Sequence, residues 1–250
     1  MRIRRVTAQY VTDAMVNAVL FDWGHTLMDW AWDDELPAAG HEAGLHAIGR
    51  ENGELTARFK DAYEPLFWAP GTVEELEYPG LVRRLLGDVG IDVSNVELER
   101  FLEAEHAAWT PARRLDSTTH ALLESLRNRG LSLAVVSNAF DPPALLHRDL
   151  ADAGIAERID YAVFSSEVGR RKPDAEIFER ALDALGVPAE AALFVGDRLY
   201  EDVRGAAELG MTTVQALWFR ADDHPDGAEP DYQAFTQMDV LSIVRRLNGE

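Results

Sequence analysis

The chain has 250 residues, 47% of them apolar, a formal charge of −20 and no cysteine. The charge repels nucleic acid and anionic lipid, the missing thiols exclude disulfides, thiol nucleophiles and thiolate metal sites, and no stretch reaches the roughly 18 consecutive apolar residues of a membrane span. The length suits one large domain or a domain carrying an insertion, and the lack of cysteine fits a reducing cytoplasm.

Residues 1–14, MRIRRVTAQYVTDA, carry early arginines but no apolar core and no small-residue cleavage site. They read as an N-terminal tail, with Met15 as a candidate functional start that the intact mass of the native protein tests. The run AVLFDW at 18–23 reads as the first strand. It stops on Asp22, an acid that is costly to hold at the end of an apolar strand unless it has a task there. Between about 31 and 111 the pattern is almost wholly helical, broken at Gly53, Pro70-Gly71, Pro79-Gly80 and Gly90. Segments such as ELTARFKDAYEPLF carry apolar residues at helical spacing. Trp23, Trp30, Trp32 and Trp68 fall near the hinge and in this insert, where they read as packing residues.

Beyond the insert, β-rich runs at 131–137, 160–165, 192–196 and 212–217 alternate with amphipathic helices near 118–129, 142–153, 174–185 and 200–209. Helix starts are marked by Asp141 before Pro142-Pro143 and by Lys172-Pro173-Asp174. ADDHPDGAEPD at 221–231 reads as a surface loop. Continuous apolar strands joined by helices indicate an α/β fold, a doubly wound parallel sheet covered on both faces. The expected division is a core of 15–30 and 112–250, with 31–111 as a helical cap over the C-terminal edge of the sheet, where open α/β sheets bind ligands.

Chemistry-bearing residues recur at the strand ends, in order: Asp22 and Thr26, then Ser137-Asn138, then Lys172 in GRRKPDAEIF, then Asp197 and Asp202 in GDRLYED. Asp22 suits in-line attack on an electrophile with a covalent intermediate. Asp22, Asp197 and Asp202 repel one another when clustered and favour a hard divalent cation with oxygen ligands, magnesium being the one expected. The seven histidines show no HExxH or paired spacing, so zinc is not expected.

With FDWGHTL, VVSN, GRRKPDAEIF and FVGDRLYEDVRGAAELGM in this order, the chain resembles the haloacid dehalogenase-like hydrolase superfamily over about 17–30 and 112–217. The insert matches in position its helical-cap, phosphoglycolate phosphatase-like subclass. The resemblance implies a magnesium-dependent hydrolase of a small phosphorylated metabolite, working through an aspartyl-phosphate. Asp22 would be the nucleophile. Asp22, Asp197 and the backbone carbonyl of Gly24 would ligate the metal, with Asp202 ligating through water or holding the others. Lys172 would neutralise Asp22 and the transferring phosphoryl, and Ser137 with the backbone NH of Asn138 would donate to phosphoryl oxygens. Arg170 and Arg171 read as solvated neighbours of Lys172, Arg198 as an ion-pair partner, and the Thr26 hydroxyl as a tie for the loop after Asp22.

Phosphatases of this superfamily mostly carry a second aspartate two residues after the nucleophile, which protonates the leaving group. Here that position is Gly24, which keeps the carbonyl and loses the acid. General acid–base catalysis contributes ~10²–10⁴-fold, roughly 3–5 kcal/mol of barrier. In one reading His25, Asp33, Asp34, Glu35 or His41 replaces the acid, although alternation along an extended segment turns His25 away. In a second, Lys60 serves a phosphonatase-type cleavage of a phosphorus–carbon bond. In a third, the protein binds phosphate with little turnover, which leaves the nucleophile without a purpose. Members that cleave carbon–halogen bonds do without magnesium, and the intact GDRLYED argues against that chemistry.

Overall fold

An uninterrupted apolar run is stable as a strand only when both of its faces are covered, and the central strands here meet that demand. The computed structural model describes residues 4–5, 15–31, 33, 35–50, 53–67, 73–220 and 226–250. Residues 1–3 and 6–14 of the expected tail, Trp32, Asp34, Trp68, the Pro70-Gly71 break and 221–225 of the expected loop lie outside them. In chain order the strands are β1 Arg4–Arg5, β2 Ala18–Phe21, β3 Met28–Trp30, β4 Arg113–Leu115, β5 Ser132–Ser137, β6 Tyr161–Phe164, β7 Ala192–Gly196, β8 Thr212–Ala216 and β9 Tyr232–Ala234. The helices are α1 Leu36–Ala47, α2 Gly53–Phe67, α3 Tyr78–Asp88, α4 Asn95–Ala108, α5 Thr119–Arg127, α6 Pro143–Asp152, α7 Ser165–Val168, α8 Ala175–Leu185, α9 Gly205–Glu208 and α10 Gln237–Leu247.

Six parallel strands run in the order β9-β8-β7-β2-β5-β6, and β1 adds an antiparallel edge on β9. Alternate residues of each strand serve opposite faces. Val19, Phe21, Leu133 and Val195 pack with Leu122, Leu126 and Ile243 of α5 and α10. Ala18, Leu20, Val136 and Phe194 pack with Ile177 and Phe178 of α8. This is the doubly wound α/β sheet expected from the strand pattern. Between β3 and β4 the helices α1 to α4 enclose their own cluster, including Leu45, Phe59, Tyr78, Leu86 and Phe101.

Two local features depart from the sequence expectation. The helix expected at 200–209 opens as a π-helical turn, Leu199–Arg204, before α9. Asp202 causes the widening: its Oδ2 accepts from the backbone N of Arg198 at 2.9 Å, while Val203 N reaches five residues back to the Arg198 carbonyl at 3.1 Å. Gly196 makes this possible, because a Cβ there would collide with the Asp202 side chain. The second is a two-stranded antiparallel ribbon of β3 and β4, Met28 opposite Leu115 and Trp30 opposite Arg113, which joins the two ends of the helical insert.

Candidate active site

Parallel pairing places Phe21 opposite both Val135 and Val195, so the C-terminal ends of β2, β5 and β7 meet, and with them Asp22, Ser137 and Asp197. These three, with Lys172 and Asp202, are buried and line one cavity of about 350 Å³. Ser137 Oγ at 2.9 Å and Lys172 Nζ at 2.7 Å both donate to Asp22 Oδ1. Lys172 Nζ also donates to Asp202 Oδ1 at 2.6 Å and to the Val136 carbonyl at 2.9 Å, which matches each ammonium proton with an acceptor. Burial alone would lower the lysine pKa, but Asp202 and Asp22 outweigh it and hold it above the ordinary value. Asn138 grips the same residue by its backbone: Asn138 Oδ1 accepts from Lys172 N at 2.8 Å, and Nδ2 donates to the Lys172 carbonyl at 3.2 Å. The Asn138 side chain therefore positions Lys172, a role the sequence did not suggest.

Asp22, Asp197 and Asp202 each offer a carboxylate oxygen within 4.8 Å of the others. Burial, and then the charge of Asp22, pushes the Asp197 pKa up to about 6. Burial raises Asp202 to about 7 against the pull of Lys172, with Asp22 and Asp197 adding to the rise. Arg220 Nε pairs with Asp197 Oδ2, and Asp197 Oδ1 is buried without a hydrogen-bond partner among the described residues. Lys172 and Arg220 pair directly with the three acids, while Arg198, engaged by Glu201, acts on them only at longer range. Hard oxygen donors, excess negative charge and an unsatisfied buried oxygen fit a cation in this cluster. No motif flags Arg220, which lies in the loop beyond β8.

Gly24 and His25 also line the cavity. A Cβ on Gly24 would meet nothing within 4 Å, so steric crowding does not explain the glycine. The segment is not extended at His25, whose φ is 56°, a left-handed turn rare for residues with a side chain. Alternation therefore does not apply, and the imidazole borders the cavity. Burial, then Arg220, holds its pKa below the ordinary histidine value. The expected Thr26 tie is corrected: its hydroxyl is buried without a partner among the described residues, and the loop is held by the Thr26 carbonyl, which accepts from Trp218 Nε1 at 2.9 Å and Gln237 Nε2 at 3.1 Å. Arg170 pairs with Asp174 at 2.7 Å and Arg198 with Glu201 at 3.0 Å. Arg171, read as solvated, borders the cavity and pairs with Glu75 at 3.6 Å. Asp33, Glu35, His41 and Lys60 do not line the cavity. Asp33 caps the backbone of Glu35 and Leu36 instead, and His41 is buried within the insert, 2.6 Å from Glu105.

The insert is tied to the sheet beside this cavity. His106 of α4 places Nδ1 at 2.7 Å from Asp141 and Nε2 at 3.0 Å from Asp149, which Arg113 also engages at 2.8 Å. Two carboxylates on two ring nitrogens favour the imidazolium, against the Arg113 guanidinium, whose Nη2 lies 3.1 Å from Nδ1. Burial opposes this charge, but the Asp141 and Asp149 bonds prevail and the His106 pKa is raised. Its stabilising contribution is accordingly complete below the unfolded value, about 6.5, and fades as pH rises through the elevated folded one. His106→Gln should cost on the order of 3 kcal/mol at pH 6, as for a broken buried ion pair, with a smaller loss in alkali. Denaturant melts of both proteins across pH check this; a cost that grows with pH would reverse the assignment.

The sequence pattern of the haloacid dehalogenase-like hydrolases matches residues 16–210. The chain is 38% identical to a phosphoserine phosphatase of Thermus thermophilus, over 89% of this chain and 97% of that one. It is 33% identical to a glyceraldehyde 3-phosphate phosphatase of Methanocaldococcus jannaschii, over 94% and 100%. Among solved structures, a phosphatase of the same family from Thermococcus onnurineus shares the fold with a TM-score of 0.63 at 24% identity, over 92% of this chain and 98% of that one. The chain belongs to the haloacid dehalogenase-like hydrolases and is a hydrolase of their phosphatase type.

Proposed function

We propose that the protein is a magnesium-dependent phosphohydrolase acting on a small phosphorylated metabolite through an aspartyl-phosphate on Asp22. The observation that carries this reading is the meeting of Asp22, Ser137 and Lys172 in one buried cavity beside Asp197 and Asp202. Relatives named as phosphatases support it. Ser137 and Lys172 fix Asp22 through Oδ1, and Oδ2 attacks phosphorus in line with the departing oxygen. Lys172, Ser137 and the backbone NH of Asn138 stabilise the charge that spreads over the phosphoryl oxygens. Water then hydrolyses the aspartyl-phosphate and restores the carboxylate. Asp22, Asp197 and the Gly24 carbonyl would hold magnesium, with Asp202 behind them, and the ion supplies further positive charge to the phosphoryl group when bound. Residues 31–111 act as a cap on the core of 15–30 and 112–250, excluding water and setting the substrate range.

The test is phosphate release from phenyl phosphate with magnesium and with a chelator in its place. The expected loss on chelation is at least ~10²–10³-fold, the scale of one removed charge stabiliser. Equal rates in both conditions would sink the metal assignment, and no release from this ester or from alkyl and sugar phosphates in either would sink the phosphohydrolase reading.

A further inference from the structure

On the insert side of the cavity the lining changes character. Met28, Trp30, Trp109, Phe140 and Leu146 border it. Met28, Trp109 and Leu146 are buried, while Trp30 and Phe140 are half-buried. Phe140 lies tilted against Tyr78 at 4.7 Å between centroids and edge-on to Trp109 at 6.5 Å. The charged side chains on this side already engage one another: Arg113 with Asp149, His106 with Asp141, Arg171 with Glu75. The Arg113 guanidinium also covers the Trp30 ring at 5.3 Å. Among the described residues, the surface left on this side for the part of a substrate beyond its phosphoryl group is mainly ring and aliphatic carbon. Hydroxyls pressed against such a surface lose water and gain no partner, whereas a ring gains stacked and edge contacts at centroid distances of about 4.5–7 Å.

A separate observation concerns the departing oxygen. Gly24 offers no side chain to protonate it, although there is room for one. A phenolate leaves unaided far more readily than an alkoxide: phenolic pKa values lie near 10, and an alkoxide resembles the conjugate base of water, at about 15.7.

We propose that the substrate is an aryl phosphate, a phosphate monoester whose aromatic ring seats against Trp30, Trp109 and Phe140. This rests on the phosphohydrolase reading above. It differs from the serine and glyceraldehyde esters after which the relatives are named. Asp22 forms a bond to phosphorus as the bond from phosphorus to the aryl oxygen breaks, and the electron pair leaves on that oxygen. Water then attacks the aspartyl-phosphate, releasing inorganic phosphate, and the proton it sheds balances the phenolate as phenol.

The test separates ring recognition from chemistry by using phosphonates, which lack the scissile oxygen, as inhibitors of phenyl phosphate hydrolysis. Phenylphosphonate should inhibit at least tenfold more tightly than methylphosphonate or 2-hydroxyethylphosphonate, a difference of about 1.4 kcal/mol. Phe140→Leu and Trp30→Leu, which keep apolar volume but remove the ring, should each shrink that ratio to threefold or less. Phenyl phosphate turnover that depends on Asp22 but shows no preference for the aryl phosphonate overturns the aryl assignment and leaves the phosphohydrolase reading intact. A ring preference that survives both leucine variants overturns the seat. Absence of Asp22-dependent turnover for every ester overturns both readings together.

Discussion

Asp22→Asn should reduce phosphate release by ~10⁴-fold or more, the scale for removing a catalytic nucleophile. The thermal midpoint should stay within about 4 °C of wild type, a change of ~1 kcal/mol in a protein of this size. The amide has the shape of the carboxylate, and its Oδ1 can still accept from Ser137 and Lys172, which are 2.9 and 2.7 Å away. It has no anionic oxygen to attack phosphorus. The fold should not suffer, because one of three mutually repelling acids is removed while Lys172 keeps Asp202 as a partner. Phosphate release and a thermal melt on the same preparation decide the matter. Retained turnover would remove Asp22 from the chemistry, whereas loss of turnover with a collapsed melt would show that the carboxylate is structural.

The second large effect comes from restoring an acid. Gly24→Asp should raise turnover of alkyl phosphates by ~10²-fold, the lower range for general acid catalysis, and change phenyl phosphate turnover by less than about threefold, since a phenolate near pKa 10 needs little help. The side chain has room, with nothing within 4 Å of the new Cβ. It also adds a fourth carboxylate beside Asp22, Asp197 and Asp202, so without magnesium the variant should melt below wild type. Rates on an alkyl and an aryl ester, with both proteins, supply the answer. Unchanged alkyl rates would mean that another cavity group, His25 first among them, already delivers the proton.

How far the chain could be read beforehand follows from where each signal is written. Strands such as AVLF and ALFVG are buried on both faces and announce themselves through composition alone. The residues at their ends were legible because parallel pairing makes strand termini converge, so Asp22, Ser137 and Asp197 follow from topology. The helix α10 was missed although its start carries a readable signal, Thr236 followed three residues on by Asp239, whose Oδ2 accepts from Thr236 N at 2.9 Å. β3 and β4 were out of reach, since strands of three residues hold no periodicity. The aromatic side of the cavity drew on Trp30, Trp109 and Phe140, which come from three distant stretches. Nothing local distinguishes them from packing residues. Arg220 and the left-handed turn at His25 depend on tertiary surroundings for the same reason.

The ribbon of β3 and β4 bears on how the chain assembles and how it could diversify. β2 must pair with β5 across the whole helical insert, and closing a loop of that length carries an entropic cost that rises with the logarithm of its span. Once Met28 lies opposite Leu115, the two ends of the insert are already side by side, and the sheet registers as though a short connection replaced a long one. Pairing of the sheet then depends less on the interior of the insert, although the His106 bonds to Asp141 and Asp149 still link the two. Lengthening, shortening or exchanging the helices between Trp30 and Arg113 should alter what the cavity accepts while the sheet below still forms. The ribbon is in that sense a graft junction, at which the helices should be exchangeable above an intact sheet.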